Sequence, residues 1–202
     1  MDRDDFTSTN AWRKINSDVR RAVRAVDWPP GSGKFTIHPE SGKKRDMGNG
    51  VVPIKLEFIH TLVERGWQPE QRQPRGTEQL EEERIRPGAF DARLDLSKYG
   101  LPPFVVEWET GNISSSHRAL NKMTLGILRH ELAGGLLVLP HRNLGKYLTD
   151  RIGTYQEIRP YFALWTYYKP DAGYLGVIEV EHDAESLKVP KIPKMTAGRA
   201  LV

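Results

Sequence analysis

An acidic pair set inside an apolar run constrains this chain more than any other feature. Residues 103–123 read PFVVEWETGNISSSHRALNKM, so Glu107 and Glu109 stand two positions apart among Phe, Val and Trp. Side chains two apart on a strand point to the same face. A glycine-containing turn follows. Next comes SSSHRALNKMTLGILRHEL, where Ala119, Leu120, Met123, Ile127 and Leu128 mark the inner face of a helix. AGG ends that helix, and LLVLP is the short, fully apolar strand expected at the centre of a buried sheet. A strand, a helix and a buried strand in succession require a sheet covered by helices.

The flanking segments extend this pattern. Trp12, Ile15, Val19, Val23 and Val26 recur at helical spacing over residues 10–26, with Ser8, Thr9 or Asn10 as the cap and Trp28-Pro29-Pro30 as the stop. The other face carries Arg13, Lys14, Arg20, Arg21 and Arg24, read first as a solvated surface and second as a DNA contact. GSGK at 31–34 is not a phosphate loop, because Trp28 holds the position of the first glycine and Phe35 that of the magnesium-binding hydroxyl. A second helix is predicted from Pro53 to about Arg65, with Ile54, Phe58, Ile59, Leu62 and Val63 buried. Residues 66–77 read as a loop and EQLEEERI at 78–85 as a short helix. FDARLDL and FVVEWE form a hairpin, Leu144–Ile152 and Tyr155–Trp165 are helical, and YLGVIEVEH is the last strand. The expected fold is α/β: one domain over 1–202, a mixed central β-sheet flanked by helices, and irregular arms at 1–10 and about 185–202.

Composition removes several function classes. There is no cysteine, which excludes disulfides, thiolate zinc sites and thiol nucleophiles, and fits a reducing cytoplasm. No apolar run approaches the ~20 residues of a membrane span, and MDRDDFTSTN lacks the core of a signal peptide. Lys and Arg outnumber Asp and Glu by 30 to 26, a net charge of +4 that by itself identifies no nucleic-acid partner. No motif for a nucleotide cofactor is present.

If the hairpin turn centres near Gly100, Asp91 falls opposite Glu109 and Arg93 opposite Glu107. Carboxylates converging without matching cations are costly unless a divalent ion neutralises them. Mg²⁺ suits such a set, taking one or two carboxylates plus water and phosphate oxygens. From spacing alone, a solvated strand face with Asp91 in a turn remains an equal reading, and Asp95 competes as the first acid. A carboxylate-pair glycosidase is disfavoured, because its acids need no adjacent Asn, Ser and Arg set.

Asp91, a sixteen-residue step and then Glu107-Trp108-Glu109 resemble the PD-(D/E)XK nuclease superfamily, with Glu109 where the third-position lysine usually stands. That departure is shared by Type II restriction endonucleases of the BamHI/BglII kind. The likeness continues through NGVVPIK (49–55), ERGW (64–67), RPGAFDA (86–92), YLTDRIG (147–153) and EVEHD (179–183), closest to the compact members of that kind. The resemblance implies a Mg²⁺-dependent endodeoxyribonuclease with Mn²⁺ as a substitute. Asp91, Glu107 and Glu109 would be its metal-binding and catalytic residues, Glu109 the base. It implies base contacts from Asn112, Ser114, Arg118, Asp150 and Arg151, with Ser115, Ser116, His117 and Lys122 completing the DNA surface. It further implies a homodimer on a GATC-centred palindrome such as GGATCC; the alternative is a DNA-binding or repair module of the same fold with another specificity. An additional acid is expected before Asp91, from among Glu78, Glu81, Glu82 and Glu83.

Overall fold

The computed structural model describes residues 1–43, 47–71, 88–109, 111–149, 152–168 and 170–194. In chain order the elements are β1 (Asp2–Arg3), α1 (Asn10–Ala25), β2 (Thr36–Ile37), α2 (Val52–Glu64), β3 (Gln68–Gln71), β4 (Phe90–Leu94), β5 (Phe104–Trp108), α3 (Ile113–Leu128), β6 (Gly134–Pro140), α4 (Arg142–Gly145), α5 (Tyr155–Ile158), α6 (Phe162–Tyr167), β7 (Gly173–Val180) and β8 (Ala184–Glu185). Six strands form one mixed sheet in the order β1-β7-β6-β5-β4-β3. β5, β6 and β7 run parallel, and the outer pairings are antiparallel.

The two-residue period of the central strands sorts their side chains between two cores. Phe104, Val106, Trp108, Leu136 and Val138 pack with α1 and α2. Val105, Leu137 and Leu139 pack with α3, Ile158 of α5 and Trp165 of α6. β6 is buried throughout, as an apolar strand with parallel neighbours on both sides should be.

α1 begins where Thr9 accepts a hydrogen bond from the Trp12 amide, at 3.1 Å. Its buried face includes one acid. Asp18 is 1% exposed and accepts from Lys14 Nζ at 2.7 Å, Arg65 Nε at 2.5 Å and Trp67 Nε1 at 3.0 Å. These bonds tie α1 to the end of α2 and the start of β3.

Several expectations change. Of the helix expected over Leu144–Ile152, the described residues form only the end of one helical turn, α4, which stops at Gly145; backbone bonds between Thr149 and Asn49 and between Asn49 and Tyr147 then hold the chain against the Asn49 region. Gln68–Gln71, read as loop, is an edge strand paired with β4. Val63 and Leu128, in the last turns of their helices, are 39% and 41% exposed. The N-terminal arm is held by β1 on β7 and by the Met1 ammonium donating to Leu175 O at 2.9 Å. The described part of the C-terminal arm, to Lys194, is anchored: Trp28 Nε1 donates to Pro190 O at 2.7 Å, and Ile192 is buried, its amide donating to Asn49 Oδ1 at 3.1 Å. The proposed helix at 78–85 lies outside the described residues. No helix among the described residues is long and apolar enough to cross a membrane.

Candidate active site

The hairpin register differs from the expected one by two residues. Leu94 pairs with Phe104 and Arg93 with Val105, so the connection centres on Tyr99, where a short 3-10 turn lengthens it. Arg93 therefore does not face Glu107, and Asp91 is set toward Glu107 rather than Glu109. A slip of two preserves which face each side chain takes.

Glu107 extends from β5 on the α3 side and is 8% exposed. One carboxylate oxygen accepts from Lys122 Nζ, while Oε2 is buried without a hydrogen-bond partner among the described residues. Burial pushes its pKa up to about 7; Lys122 opposes that rise, and the charges of Asp91 and Glu109 add to it. Asp91 is tied twice. Its Oδ1 meets Lys55 Nζ at 2.7 Å, and its Oδ2 accepts from the Trp108 amide at 2.8 Å. Glu109 follows β5 directly. Its Oε1 accepts from the Gly111 amide at 2.7 Å, a turn so close that a Cβ on Gly111 would come within 2.9 Å of that oxygen.

A divalent cation fits this donor set chemically. The donors are hard carboxylate oxygens, half-buried or buried, and one Glu107 oxygen has no hydrogen-bond partner among the described residues. Yet no group of three Asp, Glu or His residues is already gathered around one point among the described residues. Lysines from both helical layers stand on the acids instead. Lys122, expected on the DNA surface, is 7% exposed, bonded to Glu107 and to Ala89 O at 2.8 Å, with its ammonium 4.5 Å from the Phe90 ring centre.

α3 starts beside this cluster. Asn112 is its N-cap, its Oδ1 accepting from the Ser114 and Ser115 amides at 3.0 and 3.4 Å. Asn112, Ser114 and Arg118 are exposed on the first turns. Ser115 is half-buried. Ser116 is fully buried with its Oγ unpartnered among the described residues, and it lies where a Cβ on Gly153 would approach to 2.9 Å. The Gly153 amide donates to Gly111 O at 3.0 Å, so the chain leaving residues 150–151 is fastened to the turn after Glu109. His117 packs on Tyr161 and Trp165, with ring centres 4.6 and 5.6 Å away. Asp150, Arg151 and the candidate acids at 78–83 lie outside the described residues.

Lys55 was not singled out from sequence, although a signal exists. It is a cation in the first turn of α2, with no acid beside it there, where the helix dipole disfavours positive charge. Lys122 carries one too, lying three residues after buried Ala119 and four before buried Gly126, on the inward stripe.

A family model described as restriction endonuclease BamHI matches residues 1–199. The chain belongs to the BamHI family of restriction endonucleases. It is 41% identical over 187 residues to the Type II restriction enzyme OkrAI of Oceanobacter kriegii, covering 93% of this chain and 89% of that protein. To the Type II restriction enzyme BamHI of Bacillus amyloliquefaciens it is 33% identical over 186 residues, covering 90% and 80%. The six-stranded mixed sheet flanked by helices agrees with a restriction-endonuclease-like fold. Membership in the BamHI family makes DNA cleavage the activity to be explained and double-stranded DNA the partner.

Proposed function

We propose that this chain hydrolyses double-stranded DNA at a GATC-centred palindrome, GGATCC in its favoured form, with Mg²⁺ or Mn²⁺ held by Asp91, Glu107 and Glu109. The observation that carries this reading is Glu107: a buried carboxylate with an unpartnered oxygen, between two further acids and beside the exposed start of a helix. When bound, the ion polarises the scissile phosphodiester, activates water and steadies the leaving oxygen. Glu109, oriented by the Gly111 amide, takes the proton of the attacking water. Lys122 holds Glu107 in one rotamer by joining it to Ala89 O. Digestion of plasmid DNA tests the reading. Discrete fragments are expected with Mg²⁺ and none with EDTA; fragments in EDTA would overturn the metal assignment.

Base reading falls to Asn112, Ser114 and Arg118 on the exposed first turns of α3, together with Asp150 and Arg151. Arg binds guanine O6 and N7 bidentately, Asn suits adenine, and Asp accepts from cytosine N4. Arg118→Ala is expected to lower discrimination against a single-base mismatch roughly 5- to 150-fold, the equivalent of about 1–3 kcal/mol. Non-specific, salt-sensitive binding should change far less. Sequencing the ends of fully digested genomic DNA checks the site itself, and ends without a GATC core would sink the specificity claim alone.

A palindrome calls for a two-fold dimer in which each protomer cuts one strand. The apolar residues Leu164, Tyr167 and Tyr168, on and just after α6, are 59%, 84% and 50% exposed and lie at the helical spacing of one face, which makes that face a candidate contact for the second protomer. Light scattering is expected to give twice the 23.0 kDa chain mass, about 46 kDa. A 23.0 kDa particle at micromolar concentration, with and without DNA, would contradict the dimer.

A further inference from the structure

We propose that Gly153 is a positioning residue for cleavage: its backbone amide locks the turn that aims the Glu109 carboxylate. The inference rests on Glu109 acting as the base, as proposed above.

Gly111, at the centre of that turn, is held from both sides. Its N–H donates to Glu109 Oε1 at 2.7 Å, and its C=O accepts from the Gly153 amide at 3.0 Å. The main chain of Glu109 is fixed separately, its own amide donating to Val138 O of β6 at 3.2 Å. The sheet therefore sets where Glu109 starts, and the turn sets where its carboxylate points. Asn112, next in the chain, spends its side-chain bonds on the first turn of α3. The Gly153 amide brings a long-range bond, tying the turn to a segment that follows it by 42 residues.

Space, not backbone conformation, keeps side chains away from this crossing, since neither glycine has a positive φ. A Cβ on Gly111 would come within 2.7 Å of Ser115 Oγ and 2.9 Å of Glu109 Oε1. One on Gly153 would meet Ser116 Oγ at 2.9 Å, Ile113 Cα at 3.0 Å and Ile113 N at 3.1 Å. Ser116 is fully buried and the Ile113 atoms are backbone at the start of α3, so the strand of chain around Gly153 is what must back away. Its bond to Gly111 then lengthens and the turn loosens. One backbone hydrogen bond contributes roughly 2- to 13-fold in an equilibrium. A reacting group misplaced by about 1 Å can cost on the order of a hundredfold in rate. An effect of about tenfold lies between the two.

Two variants of the full-length protein test this. Glycolate incorporated at position 153 replaces the amide N–H by an ester oxygen and adds no bulk. Its single-turnover cleavage rate should fall about tenfold, while its affinity in EDTA for the duplex it cuts stays within about twofold of wild type. Gly153→Ala, which crowds the bond instead of deleting it, should be slowed at least as much. Thermal melting checks that each is folded. In a Glu109→Gln background the ester should cost nothing further, as expected of a group that acts through Glu109. A wild-type rate in either folded variant would overturn the positioning role. So would an ester variant whose duplex affinity falls as much as its rate, or one that slows Glu109→Gln by the same factor as wild type. Full activity of Glu109→Gln alone would instead remove the base assignment beneath the inference.

Discussion

Replacing Glu107 by alanine is expected to reduce cleavage of duplex DNA by at least about a thousandfold while leaving specific binding in place. A group that stabilises developing charge in a water-poor site is worth two to three orders of magnitude in rate, and loss of an ion-holding carboxylate removes that stabilisation and the placement of the attacking water together. Alanine also leaves the Lys122 ammonium buried without its counter-charge, so Glu107→Gln is the cleaner companion, retaining an oxygen for Lys122. Both variants should be equally inactive, and Glu107→Gln should bind the site duplex like wild type. Full activity in either would remove Glu107 from the chemistry. The same residue sets a pH dependence. Its folded-state value, about 7, lies above its ordinary 4.5, so the carboxyl favours the native state fully below about 4.5 and loses that contribution as pH rises through 7. Ion binding needs the deprotonated form. The cleavage rate should therefore fall as pH drops below about 7, and rising Mg²⁺ should move that limb to lower pH. A rate that stays level from pH 5 to 8 would contradict this.

Asp18→Ala is expected to destabilise the protein by about 3 kcal/mol without touching the site. Asp18 receives two cations and the buried Trp67 indole N–H, and charge-assisted bonds of this kind contribute more than neutral ones. Lys14 and Arg65 are partly exposed and can turn to water, so the loss stays below the upper range for a stranded buried charge. Trp67 is 2% exposed and cannot, so its donor is left unpaired. For a domain of this size the melting midpoint should drop roughly 6–12 °C. A midpoint within a degree of wild type would show that the α1–α2 junction is held by packing alone.

The main elements were legible because their signals are local. The period of Trp12, Ile15 and Val19 gives α1 to within a residue of its ends, and the apolar run after AGG gives β6. The segment after Leu144 departs from the helical reading because apolar residues at helical spacing also arise where loop side chains cover a core: Leu144, Leu148 and Ile152 are all buried, yet among the described residues the helix stops at Gly145. β3 was missed because Gln68–Gln71 has no apolar alternation, as an edge strand need not. The hairpin register slipped by two because the connection centres on Tyr99 and not on Gly100: the glycine caps the 3-10 turn Ser97–Tyr99 instead of standing at the middle of the connection, and moving the centre by one residue moves the pairing by two.

The amino-acid order by itself determined that Glu107 and Glu109 share a strand end, that a helix beginning at Asn112 follows at once, and that this acidic strand adjoins a buried apolar one. Those are matters of spacing and period along one segment. Only the tertiary structure decided what stands against the acids. Lys55 is 36 residues from Asp91 in the chain, and Lys122 is 15 from Glu107; they meet because α2 and α3 cover opposite faces of one sheet. A lysine's charge can be read from its letter. Whether it faces solvent, a phosphate or a carboxylate depends on which helix face the packing turns inward, and that is set by the whole core at once.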